Sequence, residues 1–240
     1  MPNSFKDSLK NLSDLNLIDF SKFSQRGIEK ESLRVSGSNI STSEHPKILG
    51  AALTNPFITT DFSEALLELI TSKAPTIEKT LSDLKIILAY THQNIDDLIW
   101  PGSIPCTIKN ESDIRIASYG NNNSGKLKEL YRIGLSYRYG SMMQCVSGIH
   151  YNFSLSEEFF RKWQCSNSEI QPFQNKKYLN LIRNFRKNAW LLLYLFGASP
   201  VIPNTFLTNR NNFLKPLNNK DLYLENATCL RMSELGYMSE

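Results

Sequence analysis

The sequence predicts an α+β fold, and three observations carry that expectation. Residues 26–35 and 148–155 show the two-residue alternation of strands. Residues 76–98 and 176–196 carry apolar stripes at helical spacing. Strand-like runs do not alternate regularly with helices, which argues against a doubly wound parallel sheet.

Taken in order, residues 1–24 read as a short amphipathic helix, with Leu9, Leu12, Leu15 and Leu17 roughly in helical phase. A strand follows at 26–35 and ends in the polar turn SGSN. Residues 58–71, ITTDFSEALLELIT, are ambiguous. Asp61 and Glu68 are seven apart and share a face if the segment is helical, whereas LLELIT alternates Glu68 against Leu67 and Leu69 as a strand does. The preferred reading is a loop at Asp61 and a strand through Glu68. After Pro75, residues 76–98 form a helix along Ile77, Leu81, Leu84, Leu88, Ile95 and Leu98. Residues 113–119 read as a short strand and 125–139 as a helix bearing basic and aromatic residues. In residues 148–155, Ile149, Tyr151 and Phe153 face one way and His150, Asn152 and Ser154 the other. A long helix at 176–196 has Gly197 placed as its C-terminal cap. The remainder reads as irregular. No repeat, low-complexity tract or linker interrupts the chain, so residues 1–240 are read as a single domain.

Composition narrows the function classes. A formal net charge of +4 reads as mild solubility and gives no reason to expect a nucleic-acid partner. The longest apolar run, AWLLLYLFGA at 189–198, is far short of the ~20 residues that cross a bilayer. It reads as the buried end of a soluble helix, and no membrane partner is expected. The opening MPNSFKDSLKNLSDL has lysines without a following apolar run, so a secretory leader is not expected. Cys106, Cys145, Cys165 and Cys229 are far apart in sequence and form no C-x-x-C. They read as reduced thiols of a cytoplasmic protein.

One motif is a decoy. In GNNNSGKL, Gly120, Gly125 and Lys126 fit G-x-x-x-x-G-K, but the next residue is Leu127, which offers no hydroxyl for Mg²⁺. The stretch reads as an asparagine-rich turn that starts a helix.

The candidate chemistry lies in the acids. Glu29 and Glu31 sit two positions apart on a strand, on one face and about 6.6 Å apart along it, and like charges so placed repel unless a cation intervenes. With Asp61, Glu68 and His150 they make an oxygen-rich set suited to Mg²⁺ or Mn²⁺ and unlike a structural zinc site. From spacing alone, paired acids at a strand edge are most often a solvated face, and a lone histidine is most often structural. The residues by themselves reach only as far as a Mg²⁺-dependent enzyme as one reading.

Six longer stretches carry more. RGIEKESLRV, TTDFSEALLELIT, WPGSIPC, LYRIGLSYRYGSMMQCVSGIHYNFSL, RNFRKNAWLLLYLFGASP and LRMSELGY occur in that order. Together they resemble the glutamate–cysteine ligase family of proteobacterial type, over nearly the whole chain from Gln25 onward. The resemblance implies an antiparallel sheet bent into a cradle with flanking helices, related to glutamine synthetase. It implies an ATP-dependent ligation. ATP phosphorylates the γ-carboxylate of L-glutamate, and the amine of L-cysteine attacks the acyl phosphate to give γ-glutamylcysteine, the first step of glutathione synthesis.

It also implies roles for residues. Those matching Glu29, Glu31, Asp61, Glu68 and His150 hold Mg²⁺ or Mn²⁺ and with it the nucleotide. Those matching Tyr131, Arg132 and Gln144 line the amino-acid pocket, and Arg231 and Tyr237 match a pair near the incoming cysteine. Family members are markedly longer, so residues 1–240 are expected to be a catalytic-type domain truncated on its C-terminal side. The family's catalytic arginine is then not in this chain, which leaves the catalytic residue unassigned and makes a second chain supplying that portion an expected partner. Two alternatives stay open: a chain that at most binds nucleotide and metal, and a Mg²⁺-dependent phosphohydrolase.

Overall fold

The computed structural model describes residues 5–166, 168–206 and 214–233. Its elements divide between two compact units, residues 1–173 and 174–240. The first holds α1 (Phe5–Asp14), β1 (Ser24–Ser36), β2 (Asn39–Ile40), β3 (Ile58–Thr60), β4 (Leu66–Ile70), α2 (Ile77–Gln93), β5 (Leu98–Ile99), α3 (Asn123–Tyr139), β6 (Ile149–Leu155) and α4 (Glu157–Gln164). Helix α5 (Ile170–Phe196) begins in the first unit and continues in the second, which adds β7 (Val201–Pro203), β8 (Lys215–Pro216) and β9 (Asp221–Tyr223). Helices with antiparallel sheets make this α+β, as the sequence predicts.

β1 organises the first unit. It pairs with β4 along one edge and β6 along the other, and its last residues pair with β2 and β5. β3 extends the sheet beyond β4. Residues opposite one another in an antiparallel ladder share a face. The register therefore puts Glu29, Glu31, Leu33 and Val35 on one face, and Lys30, Ser32 and Arg34 on the other.

The two faces bury different clusters. On the first, Leu33, Val35 and Leu66 pack with Phe62, Ile114 and Cys145. On the second, Ile58, Leu67 and Leu69 pack with Leu84, Ile87, Leu88 and Ile95. α2 thus closes the face opposite the acids. Its start is set by Thr76, whose hydroxyl accepts from the Lys79 N–H.

Several expectations need correction. The helix expected over 76–98 ends at Gln93, and Leu98 belongs to a strand. The cause is Asp97, whose carboxylate lies 2.6 Å from buried Arg34 and draws the chain back to β1. Residues 113–119 form no regular strand: Ala117 N–H bonds Phe62 O, and Ser118 N–H bonds the Glu64 carboxylate, so the segment is fastened to a loop. The helix expected within 1–24 stops at Asp14, and Leu17 is buried beyond it. The apolar end of α5 is exposed rather than buried, with Trp190, Tyr194 and Phe196 all open.

The asparagine-rich turn behaves as expected. The Asn122 side chain accepts from Gly125 N–H and caps α3. A Cβ at Gly125 would lie 2.6 Å from two backbone oxygens, those of Tyr119 and Gly120, so the glycine is demanded by close approach.

In the second unit, β9 lies between β7 and β8, so this part is not wholly irregular. Gly197 follows α5 and donates to Leu193 O. A Cβ there would lie 2.5 Å from Cys229, which explains the glycine without a left-handed backbone. The Thr228 hydroxyl reaches the carbonyls of Leu193 and Tyr194 and so serves the exposed end of the helix.

Candidate active site

The ladders of β1 assemble the acids. Glu31 stands opposite Glu68 of β4, and Glu29 opposite His150 of β6, so all four share the face turned away from α2. Glu29, Glu68 and His150 each offer a ligand atom, and these atoms lie within 4.8 Å of one another. His150 Nδ1 is 3.2 Å from Glu29 Oε2, and its Nε2 is 3.7 Å from Glu31 Oε1.

Neutral donors hold two of the acids in place. The Asn152 amide donates to Glu29 Oε1 at 2.7 Å, and the Gly148 N–H donates to Glu31 Oε2 at 2.7 Å. The sequence assigned neither residue a role. In the sequence Asn152 shows only that it shares the face of His150. Gly148 carries no side chain to mark it.

The electrostatics are those of acids short of positive charge. Burial, followed by the charges of Asp61, Glu29 and Glu31, pushes the Glu68 carboxyl up to about 7. Burial raises Glu31 too, against the Gly148 N–H that favours its anion. Burial raises Asp61 despite Arg132 and His150. Burial also tends to lower His150. The hydrogen bond to Glu29 and the charges of Glu31, Glu29 and Glu68 outweigh it, and the net shift is upward.

The donor set fits a hard divalent cation. It offers carboxylate oxygens with one imidazole, and no thiolate takes part in the cluster. A cation among Glu29, Glu68 and His150 would relieve the repulsion that raises Glu68.

The other expected residues are dispersed. Asp61 lies just after β3, outside the tightest group, and its charge reaches Glu31 and Glu68. Arg132 of α3 donates through Nε to the Asp61 carbonyl, with Nη2 3.9 Å from the Asp61 carboxylate. Tyr131 is 59% exposed on the same helix. Gln144 lies half-buried in the 3₁₀ turn Met143–Cys145. Arg231 occupies the turn Leu230–Met232 of the second unit. Tyr237 lies outside the described residues.

An antiparallel sheet with acids and a histidine gathered on one face defines a candidate divalent-cation site. Comparison with known proteins supplies the family. The model of the glutamate–cysteine ligase family matches residues 9–240. A glutamate–cysteine ligase of Hahella chejuensis is 47% identical over 220 residues, covering 89% of this chain and 42% of that protein. One from Janthinobacterium is 44% identical over all of this chain and 46% of its own. The crystal structure of glutamate–cysteine ligase from Francisella tularensis in complex with AMP superimposes with a TM-score of 0.80. It is 43% identical, over 89% of this chain and 43% of that one. A bifunctional glutathione synthetase from Pasteurella multocida gives a TM-score of 0.74 at 33% identity, over 96% and 28%. The chain belongs to the glutamate–cysteine ligase family. It spans less than half the length of these relatives.

Proposed function

We propose that this chain supplies the cation- and nucleotide-holding part of a glutamate–cysteine ligase site. The reaction uses ATP to join the γ-carboxylate of L-glutamate to the amine of L-cysteine, giving γ-glutamylcysteine. The observation that carries the reading is the register of β1, which brings Glu29, Glu68 and His150 within ligand distance of one another in a chain of this family. The AMP held by the Francisella tularensis enzyme supports a nucleotide here.

In this reading Glu29, Glu68 and His150 hold Mg²⁺ or Mn²⁺, and Glu31 and Asp61 complete the acidic ring. The cation supplies neutralisation of the phosphates and of the charge that develops in phosphoryl transfer. Asn152 and Gly148 fix Glu29 and Glu31 through hydrogen bonds, so the acids are oriented before nucleotide arrives. Phosphoryl transfer from ATP to the γ-carboxylate gives an acyl phosphate. The cysteine amine then attacks it and inorganic phosphate leaves. Tyr131, Arg132 and Gln144 are assigned to the amino-acid pocket. Arg231 and Tyr237 are assigned to the incoming cysteine, a guanidinium being suited to a carboxylate.

The part of the relatives that this match does not cover is proposed to supply the rest of the site. The proposed location is the cytoplasm, where substrate cysteine and the chain's own free thiols stay reduced.

The test is phosphate release by the purified chain with ATP and Mg²⁺, with and without both amino acids. Release that requires glutamate and cysteine and yields γ-glutamylcysteine establishes the ligase in this chain alone. Release without amino acids identifies a phosphohydrolase. Nucleotide binding without release leaves a holding part whose chemistry needs the portion of the relatives that this match does not cover.

A further inference from the structure

Asp61 owes its place to a set of contacts that lies outside the acidic cluster. Three consecutive carbonyls, those of Thr60, Asp61 and Phe62, are each taken by a donor from residues 117–132. Tyr119 Oη is 2.5 Å from Thr60 O and 3.0 Å from Asp61 O. Arg132 Nε donates to Asp61 O, and Ala117 N–H to Phe62 O.

These donors are joined to one another. The Arg132 guanidinium stands 4.6 Å from the centre of the Tyr119 ring, and Lys128 Nζ stands 5.0 Å from it. Lys128 and Arg132 are one helical turn apart on α3, and Arg132 Nη1 donates to Lys128 O at 3.0 Å. Tyr119 itself is only 5% exposed. The contacts close a ring: Thr60 carbonyl, tyrosine hydroxyl, tyrosine face, guanidinium, Asp61 carbonyl.

On the other side of the loop, Asp61 N–H bonds Leu66 O, which ties it to β4 and Glu68. The peptide at Asp61 is therefore fixed from both sides, which sets the direction of its Cα–Cβ bond, and Arg132 Nη2, 3.9 Å from its carboxylate, restrains the rest of the side chain. A loop carboxylate would otherwise sample many orientations, at a cost in entropy whenever it binds a ligand.

We propose that Tyr119 is a positioning residue for Asp61, acting with Arg132 to hold its carboxylate towards the acidic cluster before a cation binds. This rests on the reading of that cluster as a divalent-cation site with Asp61 in its ring. It also gives Arg132 work on the protein itself, in addition to the substrate contact assigned above.

The test is Mn²⁺ binding to the full chain, followed by the electron paramagnetic resonance signal of free Mn²⁺. Tyr119→Phe keeps the ring and its two cations and removes only the hydroxyl. Its affinity for Mn²⁺ is expected to fall roughly three- to tenfold, the range spanned by one net hydrogen bond. In an Asp61→Asn background the same change is expected to have no further effect, because the residue being positioned no longer acts. A merely structural tyrosine would lower the melting temperature equally in both backgrounds and leave Mn²⁺ affinity alone.

Should Tyr119→Phe fail to fold, Arg132→Lys serves instead. It keeps a charge near the ring, loses the Nε–H donor, and carries the same expectation. Wild-type binding that these variants leave unchanged, or weaken equally with and without Asp61, overturns the positioning role. A wild-type chain that binds no Mn²⁺ overturns the cation reading beneath it.

Discussion

Glu68 holds its proton far more tightly than an isolated glutamate does, because burial and three neighbouring acids disfavour its anion. The consequence for stability has a definite sign. A carboxyl raised from 4.5 to about 7 stabilises the folded state fully below pH 4.5, and loses that contribution as pH rises towards about 7. The metal-free protein is therefore expected to be less stable at pH 8 than at pH 5 on account of this residue, by roughly 2 kcal/mol after solvent screening. Glu68→Gln is expected to raise the melting temperature at pH 8 in the presence of chelator and to leave it nearly unchanged at pH 5. Scanning calorimetry reads both, and a lowered melting temperature at pH 8 would contradict the electrostatic account. At this scale the sequence was partly legible. The acids and His150 stand out because charge beside apolar strands is conspicuous, but their mutual distances depend on register. Asn152 and Gly148 act as uncharged donors, and Tyr119 meets Asp61 across 58 positions of chain, so no local pattern marks them.

β1 and β6 are readable from the alternation of their residue types, although Ile149, Tyr151 and Phe153 of β6 are exposed and the second half of β1 is buried on both faces. β4 was ambiguous because Leu66, Leu67 and Leu69 serve two different apolar clusters, which blurs both periods. The early end of α2 was not readable, since it depends on a partner distant in sequence. Arg34 is 1% exposed and donates to Asp97 and to the carbonyls of Ser43, Glu44 and Glu64. It thereby fastens β1 to the loops on both sides and fixes the strand that carries Glu29 and Glu31. Arg34→Met is expected to cost about 3–5 kcal/mol, because Asp97 and three carbonyls lose their donor. Arg34→Met with Asp97→Leu is expected to recover part of that loss. Urea denaturation measures both, and a cost below about 1 kcal/mol for the single change would show that the arginine is dispensable.

For the whole molecule, motif order was the most informative signal, since six stretches in sequence name a family that no single carboxylate pair can name. The short sheet of the second unit was not legible because its strands are only two or three residues long, too short for a period to register. The central claim is that one sheet face holds a divalent cation in order to hold a nucleotide. Its most direct test is calorimetric titration of a non-hydrolysable ATP analogue into the wild-type chain and into Glu29→Ala, each with Mg²⁺ and with chelator. Glu29 bonds Asn152 and His150 at the rim of the cluster, so its removal takes a proposed ligand while leaving the apolar core alone. The account predicts binding that requires Mg²⁺ and weakens at least tenfold in Glu29→Ala, the scale on which lost ligands and their supports act. Nucleotide affinity that is the same in all four titrations would contradict it.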